Sequence, residues 1–128
     1  MITKPIHYEE YEQMAVMRWA DMKTAVHPEL KLLFHIPNGG KRNVREAAML
    51  KASGVKAGVP DLFLPVPKGK YHGLWIELKY GKNKPTDRQK EWLKDLADQG
   101  YKAEVCYGAE EAMDALEKYL KEKEQVDD

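Results

Sequence analysis

Gly58-Val59-Pro60-Asp61, followed downstream by Trp75-Ile76-Glu77-Leu78-Lys79, is the stretch that decides how this chain is read. Asp61 opens one apolar run, Leu62-Phe63-Leu64, and Glu77 and Lys79 stand near the end of the next. Residues i and i+2 of a β-strand project from one face. Glu77 and Lys79 therefore point the same way, and a hairpin brings Asp61 alongside them. Pro60 restricts the backbone ahead of Asp61 and so aims its carboxylate. Two carboxylates can hold a hard divalent cation, and a lysine beside them can steer water or help to deprotonate it. That chemistry suits phosphodiester hydrolysis. Each residue alone has an ordinary explanation: a turn aspartate, or an exposed strand ion pair worth roughly 0.2–1 kcal/mol. The combination is what points to a site.

Working outward, Pro67-Lys68-Gly69-Lys70-Tyr71 is short enough to join strands 61–66 and 73–79 as an antiparallel hairpin. A helix over 86–99, ended by Gly100, leads into a strand over 102–107. This crossover lets the third strand lie parallel to the second. A last helix over 109–119 precedes a charged end, residues 121–128, expected to be a frayed tail outside the domain. Upstream, a helix over 8–26 is predicted with Tyr11, Ala15, Trp19, Met22 and Val26 as its apolar stripe, closed by Pro28. Residues 30–36 read as a short strand or buried irregular segment, and Pro37-Asn38-Gly39-Gly40 as a turn. A helix over 44–52 stops at Ser53-Gly54. The order of elements predicts an α/β fold, a mixed central sheet flanked by helices.

With 128 residues the chain makes one domain, assigned to residues 1–120. No apolar stretch approaches the roughly 18–20 residues that cross a bilayer, and the N-terminus lacks a signal-peptide core. The single cysteine, Cys106, excludes an internal disulfide. The expectation is a cytoplasmic protein with Cys106 packed in the interior. Net charge is zero, yet residues 41–90 carry 12 Lys/Arg against 4 Asp/Glu. A protein neutral overall can thus offer phosphates one basic side. The four histidines lack zinc-site spacing, and neither a phosphate-binding GxxxxGK[ST] loop nor a G-x-S-x-G elbow is present. A nucleotide cofactor is not expected.

The ordered set Pro37-Asn38-Gly39-Gly40-Lys41-Arg42, Gly58-Val59-Pro60-Asp61-Leu62-Phe63-Leu64, Gly73-Leu74-Trp75-Ile76-Glu77-Leu78-Lys79, then Gln89 and Trp92-Leu93, resembles the VRR-NUC family of the PD-(D/E)xK nuclease superfamily. The likeness is to its small stand-alone form, typically encoded by phages or prophages, and runs from about Glu10 to about Leu120. The resemblance implies a restriction-endonuclease-like fold and a metal-dependent DNA endonuclease using Mg²⁺ or Mn²⁺. It also implies a homodimer acting on branched DNA such as four-way (Holliday) junctions.

Carried onto this chain, the resemblance makes Asp61, Glu77 and the Leu78 carbonyl metal ligands and Lys79 the residue that handles water. A helix glutamate followed three residues later by glutamine selects Glu10, before Gln13, as the further acid, with Glu9 and Glu12 standing nearby. Gln89 is expected beside the active site. Thr86-Asp87-Arg88-Gln89 is equally a capping-box pattern, and one side chain does not readily serve both roles. Asn38, Gly39, Gly40, Lys41, Arg42 and Arg45, with Lys82, Lys84 and Arg88, are the candidate DNA contacts. Competing readings are a non-catalytic DNA-binding module and a nuclease of flaps, ends or restriction type. No separate sequence-reading domain is visible, which favours recognition of DNA shape.

Overall fold

The apolar faces of β2 (Leu62–Leu64) and β3 (Leu74–Lys79) organise the molecule. Leu62, Leu64, Leu74, Ile76 and Leu78 are buried together with Cys106 of β4 (Lys102–Tyr107). The computed structural model describes residues 8–37 and 43–123. In it, β1 (Phe34–His35), β2, β3 and β4 lie side by side in that order. The first two pairings are antiparallel and the last is parallel, as the sequence predicts for the hairpin and the crossover.

Two helices cover the leucine face. From α4 (Gly108–Leu120) come Ala109, Ala112, Leu116, Tyr119 and Leu120; from α1 (Tyr8–Lys23) come Val16 and Ala20. Tyr119 is fully buried, and its hydroxyl donates to the Val66 carbonyl at 2.6 Å, so the phenol brings no unpaired polar atom into the core. Glu12 ties the two helices together by accepting the Ala109 backbone N–H at 2.8 Å, one of the free donors at the start of α4. The helix α3 (Asp87–Asp98) packs against β4 but contributes nothing to this core, and so covers the opposite face.

The predicted apolar stripe of α1 is corrected in part: its members Ala15 and Trp19 are half-buried against the core, and the other three are not. Tyr11 is 62% exposed, Met22 75% and Val26 66%, and the helix ends at Lys23. The buried side is set instead by Val16 and Ala20, one turn apart and facing nearly opposite to Tyr11. Large side chains dominate a stripe read from sequence, but the close approach of α1 to α4 and the sheet puts the small Val16 and Ala20 deepest, with Met17 and Trp19 packed beside them.

The strand near 30–36 is reduced to β1, preceded by a 3-10 turn over Pro28–Leu32. The helix predicted over 44–52 is present as α2 (Val44–Ala52), capped by the Asn43 side chain on the Glu46 N–H, with no buried residue. Of the charged end, Glu122 lies within 4.0 Å of Lys102, and residues 124–128 lie outside the described residues. Among the described residues no helix is long and apolar enough to cross a membrane.

Gly73 has a specific role on the second face. A Cβ there would meet Leu64 O and Phe63 Cε1 at 2.9 Å, so glycine lets the Phe63 ring lie across β3 and stack on Trp75. Gly73→Ala is expected to lower stability by about 1–3 kcal/mol, the usual cost of overpacking, measured as a fall in the urea midpoint.

Candidate active site

The sheet register assembles the acids. Leu62 pairs with Ile76 and Phe63 with Trp75, so one further step sets Asp61 across from Glu77. The Ile36 N–H donates to the Asp61 carbonyl at 2.7 Å, extending the same rung to the edge strand. The Asp61 carboxylate turns inward, where its Oδ2 accepts the Leu78 N–H at 2.7 Å. That bond holds the carboxylate against β3. Ahead of it, Pro60 is fully buried, and Gly58 adopts φ +91°. A Cβ on Gly58 would lie 2.6 Å from Arg88 Cγ and 3.1 Å from Trp92 Cδ1. The motif thus begins with glycine because the start of α3 rests directly upon it.

Glu77 is 2% exposed and Lys79 7%. The ordinary alternative for these residues, an exposed strand ion pair, does not hold. The structure buries both charged residues, Glu77 nearly as fully as the leucines on the other side. Lys79 Nζ lies 3.5 Å from Glu77 Oε2, and Glu77 Oε1 is buried with no hydrogen-bond partner among the described residues. An ion pair taken out of water recovers its desolvation cost only when the remaining polar atoms are satisfied, so this pair is not there for stability alone.

Burial, and then the neighbouring Asp61 charge, push the Glu77 carboxyl up to about 8, against the pull of Lys79. Asp61 is raised as well, chiefly by burial and opposed by the Leu78 N–H. Two carboxyls forced together in a dry setting favour a shared proton or a cation between them.

The acid of α1 that approaches this pair is Glu9. Its charge acts on Asp61, and its Oε1 accepts from Asn83 Nδ2 at 3.2 Å. Glu9 lies two turns before Val16 and shares its side of the helix, whereas Glu10 is about 100° around and exposed. Glu12 is occupied at the start of α4. Tyr8 stacks on Tyr80 with ring centroids 4.5 Å apart, so the first turn of α1 is fastened to the residue following Lys79. Asn83, Tyr8 and Tyr80 were not singled out from sequence. Asn83 sits in the polar turn Gly81-Lys82-Asn83-Lys84, which gives no hint of its partner.

Gln89 is drawn elsewhere than to the carboxylates. Its Oε1 accepts the Thr86 N–H at 2.9 Å while Thr86 Oγ1 accepts the Gln89 N–H at 3.2 Å, the reciprocal capping box. Gln89→Ala is expected to cost α3 about 0.3–1.5 kcal/mol, read from thermal melting. Arg45, Lys82 and Lys84 are exposed, on α2 and on the loop before α3. Arg88 lies against Gly58. Asn38, Gly39, Gly40, Lys41 and Arg42 lie outside the described residues. Cys106 is buried on the leucine face, its thiol pushed up to about 12 by burial.

Among the described residues no three His, Cys, Asp or Glu side chains form a ready cage for a metal ion. A magnesium-like cation does not require one, because it keeps several waters and is bound through one or two carboxylates plus substrate phosphate. The Asp61–Glu77 pair, with the free Glu77 Oε1, fits that donor set.

Comparison with known proteins bears on the fold and the family. A solved structure titled "VRR_NUC domain protein" superposes with a TM-score of 0.79 at 35% identity, covering 95% of this chain and 94% of that one. No curated protein sequence matches. The VRR-NUC domain model matches residues 2–110, and the chain therefore belongs to the VRR-NUC domain family, a nuclease-type domain that acts on DNA.

Proposed function

We propose that this protein is a Mg²⁺- or Mn²⁺-dependent DNA endonuclease selective for branched DNA, the four-way junction foremost. The observation that carries the catalytic reading is the buried Asp61–Glu77 carboxyl pair with Lys79 beside it. Asp61, Glu77 and the Leu78 carbonyl would hold the cation, with Glu9, in place of the Glu10 expected from sequence, as the nearest further acid. When bound, such a cation supplies polarisation of a phosphate oxygen and neutralises charge at the leaving oxygen.

The chain's own groups account for the rest. The Leu78 N–H fixes the orientation of Asp61. Glu77 holds the Lys79 ammonium in place. Lys79 donates to a water or a phosphate oxygen, positioning the nucleophile and stabilising developing negative charge in a site largely closed to solvent. Arg45, Lys82, Lys84 and Arg88, from the basic span 41–90, would contact phosphates and supply affinity that falls with salt.

A homodimer is part of the proposal. Tyr11, Met14 and Met22 are exposed on one side of α1, an apolar strip of the kind a second copy covers. Two sites related by a two-fold axis suit symmetric nicks across a junction.

The test is cleavage of labelled duplex, flap, splayed and four-way-junction DNA with Mg²⁺, Mn²⁺ or EDTA. Metal-dependent nicking, fastest on the junction, is the expected result. Binding without cutting under either metal would leave a DNA-binding module. Preferred cutting of flaps or linear duplex would reassign the substrate.

A further inference from the structure

The sheet face that carries Glu77 and Lys79 also carries a row of aromatic rings that the reaction chemistry does not use. The rings of Phe63 and Trp75 stack at 4.0 Å with their planes 13° apart. Tyr101 meets both edge-on, and His72 meets Tyr101. At the other end, Phe34 contacts Phe63 at 5.9 Å, with planes 76° apart. The row is built rather than incidental, since it depends on the missing side chain of Gly73. Its end at Phe34 is 47% exposed, on a two-residue strand that is the edge of the sheet among the described residues.

Register places that ring relative to the acids. Phe34 pairs with Phe63, and Ile36 stands beside Asp61, so Phe34 is two rungs below the Asp61–Glu77 rung, and hence on the same face and diagonal to Asp61. Diagonal neighbours of this kind are about 7–8 Å apart. A phosphate at the carboxylates thus brings its adjacent nucleotide over the Phe34 ring. Every base has a π-face, so stacking on an aromatic side chain holds an unpaired base without regard to sequence. A base inside an intact duplex already has both faces occupied, whereas one at a branch point can be unstacked.

We infer that Phe34 is a stacking platform for an unpaired nucleobase and holds the branch point of a DNA substrate beside the carboxylate pair. The inference rests on the branched-DNA reading above and names the feature of the substrate that is recognised. Basic groups then secure the helical arms, and the ring distinguishes a branch from a plain duplex.

The test is binding in EDTA, with cleavage suspended, to three DNAs: a four-way junction with 2-aminopurine at the branch point, a single strand, and a fully paired duplex. Wild type is compared with Phe34→Leu, which keeps apolar bulk without a ring, and Phe34→Tyr, which keeps the ring. Phe34→Leu is expected to bind the junction and the single strand roughly tenfold more weakly and the duplex equally well. It should also lose the protein-induced change in 2-aminopurine fluorescence, which Phe34→Tyr preserves. Unchanged junction binding by Phe34→Leu, or an equal loss on all three DNAs, would overturn the platform. Cleavage by wild type in Mg²⁺ is scored separately. Failure to cut defeats the nuclease reading and leaves the binding result standing, while normal cutting with an indifferent Phe34→Leu defeats the platform alone.

Discussion

Asp61→Asn lowers the metal-dependent cleavage rate by on the order of 10³-fold while leaving the protein folded. The amide is nearly isosteric, and its oxygen can still accept the Leu78 N–H that Asp61 accepts at 2.7 Å. What is lost is one of two negative charges facing the cation, and charge stabilisation of this kind contributes several kcal/mol to phosphoryl chemistry. A second consequence separates this from a general defect. Asp61 is one of the causes of the raised Glu77 carboxyl, so removing its charge lets Glu77 ionise at lower pH. Calorimetric titration with Mn²⁺ should show weaker binding whose pH dependence is displaced downward. Retained cleavage at near wild-type rate would remove Asp61 from the mechanism and, with it, the paired-carboxylate account.

Glu77→Gln is expected to stabilise the metal-free protein, and increasingly so as pH rises. In the folded state the Glu77 carboxyl sits at about 8, against an ordinary value of 4.5. An acid raised on folding keeps its proton in the native state when the unfolded chain has already lost it. Stability is therefore greatest below about 4.5 and falls as pH climbs towards 8. At the upper end the loss amounts to a few kcal/mol, on the order of 1.4 kcal/mol per unit of difference. Glutamine carries no such proton, so denaturant curves for Glu77→Gln and wild type should converge near pH 4.5 and diverge by pH 8. Adding Mg²⁺ at pH 8 should raise the stability of wild type and not of the variant, because a ligand that binds only the native state stabilises it by mass action. Parallel pH profiles for the two proteins would mean that Glu77 ionises freely in the fold.

Much of the site was legible in the linear chain because it depends on local rules. The period of two along a strand puts Glu77 and Lys79 on one face, and a short Pro/Gly-rich loop forces the hairpin that sets Asp61 opposite Glu77. The parallel placement of β4 follows from a single helical crossover. The phase of α1 was not legible. Tyr11, Met22 and Val26 make the louder stripe, while packing buried Val16 and Ala20 and drew in only Ala15 and Trp19 of the predicted set. That choice turns Glu9 rather than Glu10 towards Asp61. The burial of Glu77 and Lys79 is likewise a property of what lies over the strand, and it converts an ordinary-looking ion pair into a titrating site. Gln89 shows a third limit: the motif permits a cap or an active-site contact, and the capping hydrogen bonds that form in three dimensions choose the cap. Sequence alone determined which residue types stand together on the strands and in what order, since strand periodicity and loop length are local. Tertiary structure decided which of them are dry, which way the helix faces and which hydrogen bonds close, because burial and helical phase are set by neighbours distant in the chain.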